Sequence, residues 1–170
     1  MSDDRPEVAF VVQRYGEGIT GGSESLARAV AERLAGELRT TVFTTCARDY
    51  VTWRNELPAG RETLGGVEVR RFPVAEERDL DAFNACAEPL SRRERSHEEE
   101  IGFLRRQGPH APGVVEALRA EKVRFAAVVF FTYLYSPTYW GLRAAPERAA
   151  LVPTTHDEPP LHFSVYREVF

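Results

Sequence analysis

The chain is short of lysine, of cysteine and of long apolar runs, and each shortage excludes something. Of its 22 basic residues only Lys122 is lysine, and the arginines are scattered rather than striped along one segment. With a net charge of -4 there is no electrostatic footprint for polynucleotide, so nucleic-acid binding is not expected. Cys46 and Cys86 have no metal-site spacing and are too few for a disulfide framework, so reduced thiols are expected. His97, His110, His156 and His162 lie in unrelated segments, which leaves no metal cluster in the pattern. The longest apolar runs, "VAFVV" and "FAAVVFF", fall far short of the roughly 20 residues of a membrane-spanning helix. "MSDDRPE" is acidic where a signal peptide would be basic. A cytoplasmic protein without cofactor or membrane span is the expectation.

What is present suits one domain: 170 residues, 43% hydrophobic and 28% charged. Residues 8–12 form a continuous apolar run, as for a strand buried on both faces. From Ser23, a reasonable N-cap, the period changes to that of a helix. Leu26, Val30 and Leu34 share one face, with Ala27, Ala31 and Leu38 beside it and Arg28, Glu32 and Glu37 outward. "TTVFTT" at 40–45 completes a strand-helix-strand unit. Residues 47–64 look like loop, and "GGVEVRRFPV" at 65–74 reads as a turn and a third strand. The charge run "SRRERSHEEE" within 77–107 predicts one or two solvated amphipathic helices, and 112–121 another. "FAAVVFF" at 125–131 is a further buried strand, linked by a helix at about 137–143 to a last strand at 149–155.

Alternating strands and helices predict an α/β fold: a Rossmann-like open, mostly parallel twisted sheet with helices on both faces. Ligands of such sheets bind outside the carboxyl ends of the strands. The residues to inspect are therefore those in 13–22, 46–49, 132–135 and 155–158.

Gly16, Gly18 and Gly21 spell G-x-G-x-x-G, but the partners of a dinucleotide site are missing. Gln13, Arg14 and Tyr15 intervene between strand and first glycine, and the first acid after the second strand is Asp49, four residues beyond Thr45. Gly21 and Gly22 differ from the other glycines because they abut a helix start, where free N–H groups and the dipole favour an anion.

"VVQRYGEGITGGSESLARAVAERLA", "GVEVRRFPV", "LVPTTHDEPP" and "YREVF" resemble the N-terminal half of retaining, family-four-type glycosyltransferases with the GT-B fold. The resemblance implies a single Rossmann-like N-terminal domain over 1–170 that binds the acceptor. A C-terminal domain of the same natural chain would bind the nucleotide-sugar donor and carry a Glu-x7-Glu motif. Glu24/Glu32 and Glu68/Glu76 have that spacing but lie in the wrong elements. On this resemblance the fragment is inactive alone. Gly21 and Gly22 approach the donor phosphate or sugar, and Arg14 leaves the same strand end as a candidate anion partner. His156 contacts the transferring sugar as the catalytic-site histidine, its tautomer fixed by Asp157, and no metal is required. Where such enzymes often carry a histidine-containing stretch this chain has "FFTYLYSPTYW". Thr132, Tyr133 and Tyr135 stand there with Gln13 and Asp157 as candidate acceptor-binding residues, while Tyr139 and Trp140 are assigned to core. Two other readings stay open: an NAD(P)-dependent oxidoreductase or related nucleotide binder, and a non-catalytic α/β ligand-binding module.

Overall fold

Each apolar run becomes a strand because its side chains find partners above and below the sheet. In the structure, a computed structural model describing residues 4–170, the order is β1 (Glu7–Val11), α1 (Gly22–Leu34), β2 (Arg39–Thr45), β3 (Gly60–Leu64), β4 (Val67–Phe72), α2 (Leu80–Leu90), α3 (His97–Gln107), α4 (Pro112–Glu121), β5 (Ala127–Phe131), α5 (Ser136–Ala144) and β6 (Ala149–Val152). Two 3-10 turns, Pro159–His162 and Ser164–Glu168, follow. The strands lie in the order β3-β4-β2-β1-β5-β6, with β3 antiparallel to β4 and every other pairing parallel. Alternate β1 residues face opposite layers: Ala9 and Val11 meet α4 residues Val114 and Leu118, whereas Phe10 and Val12 meet α1 residues Ala27 and Ala31. The expected open α/β sheet, covered on both faces, is what forms.

Three expectations need correction. Helix α1 has the expected period but a rotated phase. Ala27 and Ala31 are fully buried and bring the helix close to the sheet, which leaves Leu26 outside and 41% exposed. Residues 47–64 are not all loop, since β3 pairs with β4 through a Gly65–Gly66 turn whose φ values, 57° and 81°, only glycine adopts freely. Strand β3 is almost wholly exposed, so it has no apolar alternation to betray it, and its charged side chains suit an open sheet edge. The run 77–107 forms two helices as expected, but it is not all solvated. Glu100 is only 2% exposed and accepts hydrogen bonds from the Ser164 and Val165 N–H groups, both at 3.0 Å, from Ser164 Oγ and from Arg95. Burial pushes its carboxyl pKa up, but these hydrogen bonds outweigh that and hold it below the ordinary range. They pin Phe163, Val165, Tyr166 and Val169 over Phe103 and Leu104.

At the amino end of the sheet, buried Glu7 is gripped by Arg124 at 2.5 Å and Arg39 at 3.0 Å, and it accepts from Thr41 Oγ1 at 3.1 Å. Arg124 also reaches Glu121, which pairs with Arg70 at 2.7 Å.

Candidate functional site

Parallel pairing puts the chain segments leaving β1, β2, β4, β5 and β6 on one rim. Gln13 and Arg14 follow β1, Gly21 and Gly22 open α1, Thr132 to Tyr135 follow β5, and His156 and Asp157 follow β6. The sequence-expected residues thus share one end of three adjacent strands. Thr132 N–H donates to Val152 O at 2.8 Å, tying two of the segments together.

At the start of α1 the cap is Gly21 rather than Ser23, and it makes no side-chain cap bond. Ser23 instead donates to Glu24 Oε2 at 2.9 Å and accepts from Gln13 Nε2 at 3.1 Å. Glu24 is buried, and Arg14 clamps it through Nε at 2.9 Å and Nη2 at 2.6 Å. The other Arg14 donors reach Arg48 O at 3.0 Å and Thr20 O at 3.1 Å. Arg14 is therefore held in place with its charge balanced, rather than free to fork onto a ligand anion. A Cβ on Gly21 would overlap Glu24 Oε2, whereas one on Gly22 would meet no atom within 4 Å. Gly21 is glycine to admit the carboxylate; Gly22 borders open space. Gln13 Oε1 has no partner among the described residues.

On the β5–β6 side, Thr132 and Thr154 both sit in the left-handed region, at φ 63° and 46°. For β-branched residues this is strained backbone, of the kind that gathers at ligand sites. The Tyr133 ring is buried and its hydroxyl donates to Glu158 Oε1 at 2.8 Å, so it faces the protein's own acid. Burial, and then this carboxylate, push the phenol pKa far up. Tyr135 is half-buried, edge-on to Trp53 with centroids 5.3 Å apart, and burial raises its hydroxyl pKa. Tyr139 joins the core, with Trp140 packed against it.

His156 is open to solvent, its side chain 77% exposed, with Nε2 3.6 Å from Glu158 Oε2. Asp157 does not serve it. That carboxylate lies 3.1 Å from His162 Nε2, so the expected pairing within His156-Asp157 is replaced by two crossed pairs.

A groove of about 1110 Å³ runs from this rim between α2 and α3, walled by Ala82, Ala85, Pro89, Ile101 and Arg105. Its end at Trp53 and Arg78 adjoins Tyr135. The Arg78 guanidinium lies over Trp53 at 5.2 Å and donates to Val51 O at 2.7 Å and Gln107 O at 3.3 Å. Tyr50, Val51 and Leu80 are exposed nearby, as is Phe170 against Tyr133.

Asp49, the acid available to a dinucleotide ribose, is turned into its own loop. It accepts from the N–H groups of Val51 and Thr52, both at 2.6 Å, and from Thr52 Oγ1 at 2.7 Å. Among the described residues no group of three or more His, Cys, Asp or Glu side chains could hold a metal ion, and no helix is long and apolar enough to cross a membrane. Sequence reading overlooked Arg78 and Trp53, which carried no signal, and it gave no site role to Glu24, an acid two residues after a glycine pair at a helix start, or to Glu158, within the stretch 155–158. Comparison with known proteins yields no match to a family model, a curated protein or a solved structure.

Proposed function

We propose that the chain is the acceptor-binding lobe of a retaining glycosyltransferase of the GT-B type, moving a sugar from a nucleotide-sugar donor held by a second lobe. One observation supports this reading most. The open space over Gly22, at the positive end of a 13-residue helix, lies on the same sheet rim as the exposed imidazole of His156. Negative charge growing on a leaving phosphate is stabilised by helix N-terminal N–H groups, and Gly22 lets it come close. Glu24 refines this picture: its buried carboxylate, engaged by Arg14, Gln13 and Ser23, fills the space over Gly21, so the phosphate approaches at Gly22. His156 contributes a hydrogen bond to the transferring sugar. The acceptor occupies the groove between α2 and α3, with its reacting end near Tyr135 and Thr132. The exposed Tyr50, Val51, Leu80 and Phe170 ring the rim that the second lobe closes.

The test is sugar transfer from a nucleotide donor by this chain joined to its second lobe. Gly22→Val and His156→Ala are each expected to lower turnover at least about tenfold, ~1.4 kcal/mol of transition-state stabilisation. Undiminished turnover in both variants removes the assignment. Micromolar binding of NADH to this chain, read by fluorescence, would favour the dinucleotide alternative instead.

A further inference from the structure

We propose that Tyr133 and Glu158 are positioning residues for His156: Tyr133 fastens both ends of the segment carrying the imidazole, and Glu158 presents an oxygen to its Nε2. The importance of His156 rests on the proposed function; the geometry around it does not.

The segment after β6, residues 153–158, has no helix or strand of its own, and its middle is exposed. Tyr133 grips it twice. Its N–H donates to Pro153 O at 3.2 Å, and its hydroxyl donates to Glu158 Oε1 at 2.8 Å. Tyr133 is itself immobilised, buried edge-on against Tyr166 with centroids 5.0 Å apart. A loop closed at both ends onto one rigid residue, through its backbone at one end and its phenol at the other, has few conformations left, and left-handed Thr154 turns its backbone between the anchors.

Glu158 is placed to act by division of labour. Oε1 is held by the phenol, which leaves Oε2 toward the imidazole at 3.6 Å. That is longer than a hydrogen bond and within ion-pair reach, a separation that ligand closure shortens in many sites. A carboxylate on Nε2 directs that nitrogen's proton inward and leaves Nδ1 as the acceptor presented to a sugar hydroxyl. The neighbour in sequence, Asp157, is engaged with His162.

The crossed pairing makes a specific test, run on this chain alone by following histidine ring 1H–13C resonances at one fixed pH. Glu158→Gln is expected to move the His156 signals and leave those of His162 in place. Asp157→Asn is expected to do the reverse. Tyr133→Phe, which releases Glu158, should move the His156 signals too. Should that variant fail to fold, the Glu158 and Asp157 pair decides alone. His156 signals that ignore Glu158→Gln, or that answer to Asp157→Asn, overturn the proposal. In the two-lobed enzyme Glu158→Gln should lower kcat about fivefold with KM unchanged, and the His156→Ala, Glu158→Gln double variant should be no slower than His156→Ala. Effects that multiply would count against positioning. Absence of transfer in the unsubstituted enzyme would sink the glycosyltransferase reading and leave the resonance result standing.

Discussion

The two ends of the sheet solve the problem of charge differently. At the amino end Glu7 is enclosed by Arg39, Arg124 and Thr41, and among the described residues Val123 is the large apolar side chain left strongly exposed nearby. At the carboxyl end the Arg14–Glu24 pair is more deeply buried than the Glu7 pairs, yet around it stand two left-handed threonines, an amide oxygen without a partner among the described residues, an exposed histidine and exposed apolar side chains. At the amino end the Glu7 carboxylate is fully engaged within the chain, although buried Thr40 Oγ1 and Glu68 Oε1 make no hydrogen bond among the described residues. What sets the carboxyl end apart is left-handed threonine backbone together with exposed imidazole and apolar side chains. The proposed function puts its ligand at that end.

The largest effect should come from the amino end. Glu7→Ala removes the buried acceptor shared by Thr41 and the two partly exposed arginines, and is expected to lower unfolding free energy by about 3 kcal/mol in urea titration. A much smaller loss would mean that the amino end is not the locked partner in the comparison. Glu100 is the equivalent lock for the segment that follows the His156 loop. Glu100→Gln should reduce stability by about 2 kcal/mol at neutral pH. Because its folded pKa lies below the usual 4.5, that contribution is complete above the ordinary carboxylate range and fades as pH falls through the folded value. The difference between the two proteins should therefore shrink in acid.

At the carboxyl end substitution should improve stability. Thr154→Asn keeps the left-handed backbone at lower strain and, at an exposed position, is expected to raise unfolding free energy by about 1 kcal/mol. If this variant is instead destabilised, the strain is not there and the contrast weakens. Smallest is Tyr15→Phe, which deletes a buried hydroxyl without a hydrogen-bond partner among the described residues and should change stability at neutral pH by no more than about 0.5 kcal/mol. Burial pushes the Tyr15 phenol up to about 12 from 10.0. The folded chain thus keeps a proton that the unfolded chain releases, so stability holds below about 10 and drops as pH rises toward 12. The phenylalanine variant should show a shallower alkaline limb over that range.

Much of this was legible beforehand because it follows from apolar periodicity. The runs at 8–12, 40–45 and 125–131 could become only buried strands, and their order placed Gln13, Gly22 and His156 on one rim. Strand β3 was hidden because neither of its faces is covered, although the Gly65–Gly66 turn announced a hairpin. The phase of α1 was misread because alanine adds little to an apolar stripe yet sets how closely a helix approaches a sheet. At the candidate site, residue types pointed to loops that do share one rim, but partners depend on three-dimensional approach. Adjacency suggested His156 with Asp157, whereas the turn after β6 sets them facing different groups. Arg14 looked like a free cation because its counter-ion lies ten residues on, across the glycine loop.

The contact between Gly21 and Glu24 also constrains how this chain can change over generations. A side chain at 21 has no room while the carboxylate is there, and losing the carboxylate strands Arg14, so neither replacement is neutral when it comes first. Gly21 also lies at φ 158°, which an L side chain takes only under strain, so a smaller residue at 24 does not open position 21; in descendants of this sequence glycine should persist at 21 while 14 and 24 change only together.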